Sequence, residues 1–116
     1  MPGTVFSAAV RRGPSGAIID LGGDIDRSSA DALTAAYAEA TNADGTGPVV
    51  LNFSNVDYIN STGIAVIVTL LAKARAEGRQ LRAFGLSPHY EEIFQITRLS
   101  DFMSIHHTEP EALAHQ

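Results

Sequence analysis

Apolar positions along this chain fall partly in short runs of strand-like composition and partly at helical spacing. Thr4 to Arg11 has strand-like composition, and so does Ala17 to Leu21. Gly13-Pro14-Ser15-Gly16 lies between them. Proline presets one turn dihedral and glycine accepts the unusual one, so the two segments read as a hairpin. The spacing then changes. Leu33, Ala36, Tyr37 and Ala40 fall on one helical face, with Ser28 placed to cap the helix and Asp31 three residues on to close a capping box. Asn42 to Pro48, rich in Gly, Asp and Thr, reads as a loop.

Val49 to Phe53 is a compact apolar run, which suits a strand buried in a parallel sheet. After a short loop comes Ser61 to Glu77. Val66, Ile67 and Val68 are β-branched, yet the segment is long for a strand. Lys73 and Arg75 suit a helix C-terminal end and Gly78 a stop, so a helix is predicted. It is apolar around much of its circumference and is expected to be largely buried. Leu81 to Phe84 is the next strand. Ser87-Pro88 opens a third helix, with proline early, where its missing N–H costs nothing. Its inner face carries Tyr90, Ile93, Phe94 and Thr97. Met103 to His106 is a short edge strand, and Thr108 with Glu111 caps a final helix ending near Ala114. Phe94, Leu99 and Phe102 are assigned to the core.

The order β-β-α-β-α-β-α-β-α predicts an α/β fold with a mixed sheet of four to five strands and about four α-helices. The hairpin supplies the antiparallel member. With no repeat and no long linker, residues 1–116 are expected to form one domain, large enough to bury a core.

Charge and composition narrow the function. The formal charge of −5 argues against non-specific nucleic-acid binding, and no basic run suits an anionic membrane surface. The absence of cysteine excludes disulfides, thiolate metal sites and thiol nucleophiles, and is compatible with a reducing compartment. Met1-Pro2-Gly3-Thr4 lacks the basic-then-apolar pattern of a signal peptide, and the apolar run Ile64 to Ala72 is too short to span a bilayer. A cytoplasmic protein without direct nucleic-acid or membrane partners is the expectation.

Most candidate chemistry fails on spacing. Asp24, Asp26 and Asp31 suggest a calcium loop, but Ser29 and Ala35 stand where the glycine and bidentate glutamate belong. His106 and His107 would point to opposite faces of a strand, and His89 and His115 lack ligand spacing. Gly45-x-Gly47 precedes a strand rather than opening a helix, so it is no dinucleotide fingerprint. There is no G-x-S-x-G, and Ser61 has no histidine near it in sequence. No metal, cofactor or catalysis is expected. What remains is Asn60-Ser61-Thr62-Gly63, set directly against an apolar run. Capping is the ordinary use of such residues, with Ile59 available to staple the helix start. The same place is the carboxyl end of a parallel strand and the positive end of a helix, where a phosphate on Ser61 is electrostatically tolerated.

These residues resemble the STAS domain family, and within it the stand-alone bacterial anti-sigma factor antagonists. Gly23-Asp24-Ile25-Asp26 resembles the family's G-x-x-D. Val49 to Phe53 followed by Asn60-Ser61-Thr62-Gly63-Ile64 resembles its apolar strand and D-S-[ST]-G-[LI] motif. Leu86-Ser87-Pro88, Ile93-Phe94 and Leu99 to Ile105 continue in the same order. The resemblance implies that Ser61 is a phosphate acceptor, modified by a partner anti-sigma factor that is also a serine kinase and restored by a separate phosphatase. The unphosphorylated form would bind the anti-sigma factor and free a sigma factor. Asp26, Thr62 and Gly63 match family positions around the acceptor, and Asp57 is expected as a second acidic neighbour. Asn60 departs, standing where the family usually has aspartate. Either residue caps a helix, but the missing charge bears on recognition by kinase or phosphatase. It keeps open a STAS module that takes no phosphate, such as an accessory subunit of a transport or lipid-trafficking complex or a small anion-binding module.

Overall fold

In the computed structural model, residues 4–13, 16–42 and 47–114 are described. Five strands and four α-helices alternate as the spacing predicts: β1 (Ser7–Arg12), β2 (Ala17–Ile25), α1 (Ala30–Asn42), β3 (Val49–Ile59), α2 (Ser61–Ala76), β4 (Leu81–Phe84), α3 (Pro88–Ile96), β5 (Ser104–His106) and α4 (Glu109–Leu113). Arg27–Ser29 and Leu99–Asp101 form single 3-10 turns. Pro14 and Ser15 of the hairpin turn, Gly45, and His115 lie outside the described residues.

The strands lie side by side in chain order, β1 antiparallel to β2 and the rest parallel. Every crossover therefore steps in the same direction. Right-handed connections then put α1, α2 and α3 on one face of the sheet. That face holds the main core, where Ile19, Leu21, Leu51, Phe53 and Ala83 meet Leu33 and Tyr37 of α1, Ile67 and Leu70 of α2 and Phe94 of α3. Phe94 meets Phe53 edge-to-face at 5.7 Å, an arrangement worth about 1 kcal/mol beyond its burial.

The opposite face has a different cover. Ile18, Val50 and Phe84 pack with α4, through Ala112 and Leu113. A helix of five residues has little intrinsic stability, so side chains hold it. Arg82, buried on β4, donates to the carbonyls of Ala112 at 2.7 Å and Ala114 at 3.1 Å and to Gln80. Arg11 forks between Asp20 and Glu109, tying β1 and β2 to the start of α4. The Arg11 hydrogen bonds hold the Asp20 carboxyl below its ordinary value.

Six local expectations need correction. Strand β2 does not end at Leu21, and β3 does not end at Phe53. Both run on to Ile25 and Ile59, with two register shifts that give β3 an extra residue each time. The polar continuation of β3 is tolerated because β4 pairs only with Val49–Asn52, leaving the rest flanked by β2 alone. The first-helix cap is Asp26, not Ser28. Asp26 opens the 3-10 turn and Ser29 closes the box in place of Asp31. Helix α2 is not largely buried: Gly63, Ile67, Leu70, Leu71 and Ala74 face inward, while Val68 is 45% exposed. The sheet covers one side of it, and among the described residues no layer lies beyond. Phe102 leaves the core, 53% exposed, with the Arg75 guanidinium 4.6 Å over its ring. Thr97, assigned to the inner face of α3, is its exposed C-cap.

Two outcomes follow from this packing. Arg82→Met removes the donors to the carbonyls that end α4. It should cost about 2–4 kcal/mol in urea unfolding and abolish amide-exchange protection over Glu109–Leu113. Tyr37 is buried and donates to Glu77 at 2.9 Å; burial first, then that carboxylate, pushes its phenol up to about 12. A raised folded-state value favours the folded form below the ordinary value of 10.0, and that contribution is lost as pH rises through 12. A phenolate absorbance titration should show a late component near pH 12 that Tyr37→Phe removes, and the variant should lose less stability above pH 10.

Candidate functional site

The polar cluster lies where β2 and β3 end together. Ile25 pairs with Ile59, and the Asn60 N–H donates to the Ile25 carbonyl at 3.3 Å. Asn60 is extended and is the N-cap of α2, accepting from the Gly63 N–H at 2.8 Å through its side chain and from the Ile64 N–H at 2.9 Å through its carbonyl. Ser61 is therefore the first helical residue and not the cap. Buried Ile59 lies beside Gly63. The Ile59 N–H donates to the Tyr90 hydroxyl at 2.9 Å, which anchors the strand end to α3.

Gly63 sets how closely helix and sheet approach. A Cβ there would fall 2.0 Å from the Ile25 carbonyl oxygen and 3.1 Å from Ile59 Cγ2. Gly23 has a comparable task, with φ +78° and its α-carbon against the Val5 carbonyl. Both glycines of the two motifs are thus places where a side chain has no room.

The two hydroxyls of the motif are used differently. Thr62 Oγ1 donates to Asn60 Oδ1 at 2.7 Å and accepts from the Arg27 N–H at 3.0 Å. It pins the 3-10 turn after β2 to the start of α2. Ser61 is exposed, and among the described residues no group hydrogen-bonds to its hydroxyl. The N–H groups of Ser61 and Thr62 have no intrahelical acceptor, and they lie at the positive end of a 16-residue helix.

Asp26 is half-buried one residue from that junction. Its carboxylate accepts from the Ser28 N–H at 2.9 Å and the Ser28 hydroxyl at 2.6 Å, and its own N–H donates to Ser29. It holds the turn that delivers Arg27 to Thr62. Asp57 is exposed on the bulged part of β3. Asp24 is buried, with Oδ1 unpartnered among the described residues. Among the same residues no cluster of metal-ligating side chains occurs, and no helix is long and apolar enough to cross a membrane.

One feature was missed in the sequence. A groove of about 380 Å³ runs between α1 and α2 from Arg27 and Thr62 to Lys73. Its signal was present in Thr62, Val66, Thr69 and Lys73, spaced along one face of α2. A purely apolar count of helix faces overlooks a stripe of mixed character.

The chain is similar to several known proteins. The family model described as "Mlab, STAS domain" matches residues 8–105. A curated relative, the anti-sigma-B factor antagonist of Staphylococcus aureus, is 34% identical over 62 residues, 53% of this chain and 57% of the relative. The matched region thus spans little more than half the length of that protein. Among solved structures, an anti-sigma factor antagonist from Mycobacterium paratuberculosis superposes with a TM-score of 0.77 at 19% identity, covering 94% of this chain and 92% of the other. The Bacillus cell fate determinant SpoIIAA in its phosphorylated form gives 0.66 at 20% identity over 93% and 96%.

The contact at Gly63 makes a direct demand. Gly63→Ala should destabilise the protein by at least about 2 kcal/mol in chemical unfolding, because the new methyl meets backbone rather than a movable side chain. A loss within 0.5 kcal/mol would show that α2 is free to shift away from β2.

Proposed function

We propose that this chain, which belongs to the STAS domain family, is an anti-sigma factor antagonist whose partner binding is switched by phosphate on Ser61. The unphosphorylated form binds an anti-sigma factor that is also a serine kinase, and so frees a sigma factor. Phosphorylation ends that binding, and a phosphatase reverses it. On this reading the protein is a cytoplasmic binding partner and not an enzyme.

One observation carries the proposal: of two adjacent hydroxyls at the start of α2, Thr62 is tied into the fold and exposed Ser61 is not. A kinase can therefore reach Ser61 without breaking a structural hydrogen bond. The free N–H groups and the helix dipole favour the resulting anion. The similarity to the antagonists of Staphylococcus aureus and Mycobacterium paratuberculosis supports the same reading.

A phosphoserine brings about −1.5 to −2 charges to this surface at neutral pH. Asp26 lies on the turn bonded to Thr62, and Asp57 is exposed four residues before Ser61, so the segment around the acceptor already carries acid. A partner matched to the unmodified surface then meets a like-charge or desolvation cost of several kcal/mol, enough for a ~100-fold or greater loss of affinity. No refolding is required. Asn60 favours a second reading, since it lacks the charge usual in the family: a STAS accessory module of a transport or lipid-trafficking complex, or an anion-binding module, that takes no phosphate.

Phosphate transfer from ATP in a lysate of the source organism separates the two. Peptide mass spectrometry over Asn55 to Lys73 should find phosphate on Ser61 in the wild type and none in Ser61→Ala, and the variant should keep its partner in the presence of ATP. No phosphate on Ser61 with phosphatases inhibited would overturn the switch in favour of the second reading.

A further inference from the structure

The chain carries eight Lys and Arg residues against a net charge of −5. Most of these cations are already engaged. Arg11 and Arg98 pair with carboxylates, and Arg12, Arg79 and Arg82 donate to backbone carbonyls. Arg75 lies over Phe102. Two remain. The Arg27 side chain has no hydrogen bond or ion pair among the described residues. Lys73 has only Glu77, at 3.4 Å with both side chains nearly half exposed, a pair of little worth. Both of these cations line the groove between α1 and α2.

They stand at its two ends. The Arg27 N–H bonded to Thr62 fixes one end, and Lys73 lies eleven residues further along α2, about 16 Å at helical rise. The accessible surface between them is mainly apolar, formed by Ala30, Ala65 and Val66, with Leu33 and Leu70 buried beneath. A phosphate or an amphiphile with one charged head satisfies one end of this pattern only. A helix that carries carboxylates eleven residues apart on the same face, with apolar side chains between, satisfies both ends and the floor.

We propose that the groove between α1 and α2 receives an amphipathic helix of the partner protein, its carboxylates meeting Arg27 and Lys73 and its apolar side chains covering Ala30, Ala65 and Val66. This rests on the partner-binding reading above and names the chemistry of the bound segment. The net negative charge of the chain gives an acidic helix no general attraction, so recognition falls to these two cations. Ser61 precedes Thr62 at the Arg27 end. A phosphate there competes with the partner carboxylate for Arg27 and repels it.

The test uses the full chain, 15N-labelled and unphosphorylated, titrated with an acetylated and amidated alanine-rich 15-residue helical peptide. The peptide carries Glu at two positions eleven apart and Leu at the fourth and seventh positions after the first Glu. A second peptide has Lys in place of both Glu residues. The Glu peptide should produce saturable shifts at Ala30, Ala65, Val66 and Lys73, with the Lys peptide at least ~10-fold weaker. Arg27→Gln and Lys73→Gln should each weaken the Glu peptide about two- to five-fold, whereas Arg98→Gln leaves it unchanged. Equal binding of the two peptides, shifts centred elsewhere, or no shifts would overturn the proposal. The outcome is independent of whether Ser61 accepts phosphate, so a failed switch and a failed groove are told apart.

Discussion

The contact between Gly63 and the Ile25 carbonyl governs the arrangement around it. At this point a helix start lies directly on a strand end, with no space for a β-carbon. The approach lets the Asn60 N–H reach Ile25 and the Arg27 N–H reach Thr62. Two segments far apart in sequence thereby become one surface: the turn after β2 and the first turn of α2. The bulges in β3 serve the same end. They absorb two extra residues, so that Ile59 still arrives opposite Ile25 and the helix begins in register. The core supports this junction from beneath, since Ile25, Ile59 and Ile67 are all buried.

Within that surface, structure and proposed function divide between neighbouring atoms. Asn60, Thr62 and Gly63 hold the geometry through hydrogen bonds and close packing. Asp26 holds the facing turn. Ser61 contributes nothing visible to this scaffold and is the group left exposed to solvent. A reporter residue needs that freedom: a modification on Thr62 would break two hydrogen bonds, whereas one on Ser61 changes the local charge alone. The proposed switch is accordingly electrostatic, and the proposed docking groove begins at Thr62, the neighbour of Ser61.

The layering also explains which parts of the molecule depend on single side chains. Crossovers that all step in one direction stack three helices on one face and leave the other to α4 alone. The main core is redundant, with many apolar contacts sharing the load. The α4 face rests on Arg82 and on the Arg11 fork.

The order and type of the nine elements, the mixed sheet with its opening hairpin, and the buried face of α1 are legible in the sequence. Each of these is written in spacing: 3.6 residues for helices, apolar runs for buried strands, and Gly, Pro, Ser and Thr at the ends. The sequence also singled out Asn60 to Gly63 as the unusual stretch, a polar cluster set directly against an apolar run, and an ordered resemblance then pointed to Ser61. Tertiary structure decided what depends on a neighbour distant in the chain. The polar half of β3 is a strand because β2 pairs with it, and polar residues there carry no strand signal of their own. Asp26 rather than Ser28 is a cap because β2 continues to Ile25 and leaves it at the turn. Phe102 and Val68 are exposed because no layer covers α2, which hydrophobicity alone cannot reveal. The assignment of one hydroxyl to the fold and the next to solvent arises from the Arg27 N–H, thirty-five residues away, since a hydrogen bond across that distance exists only once the two segments are packed together.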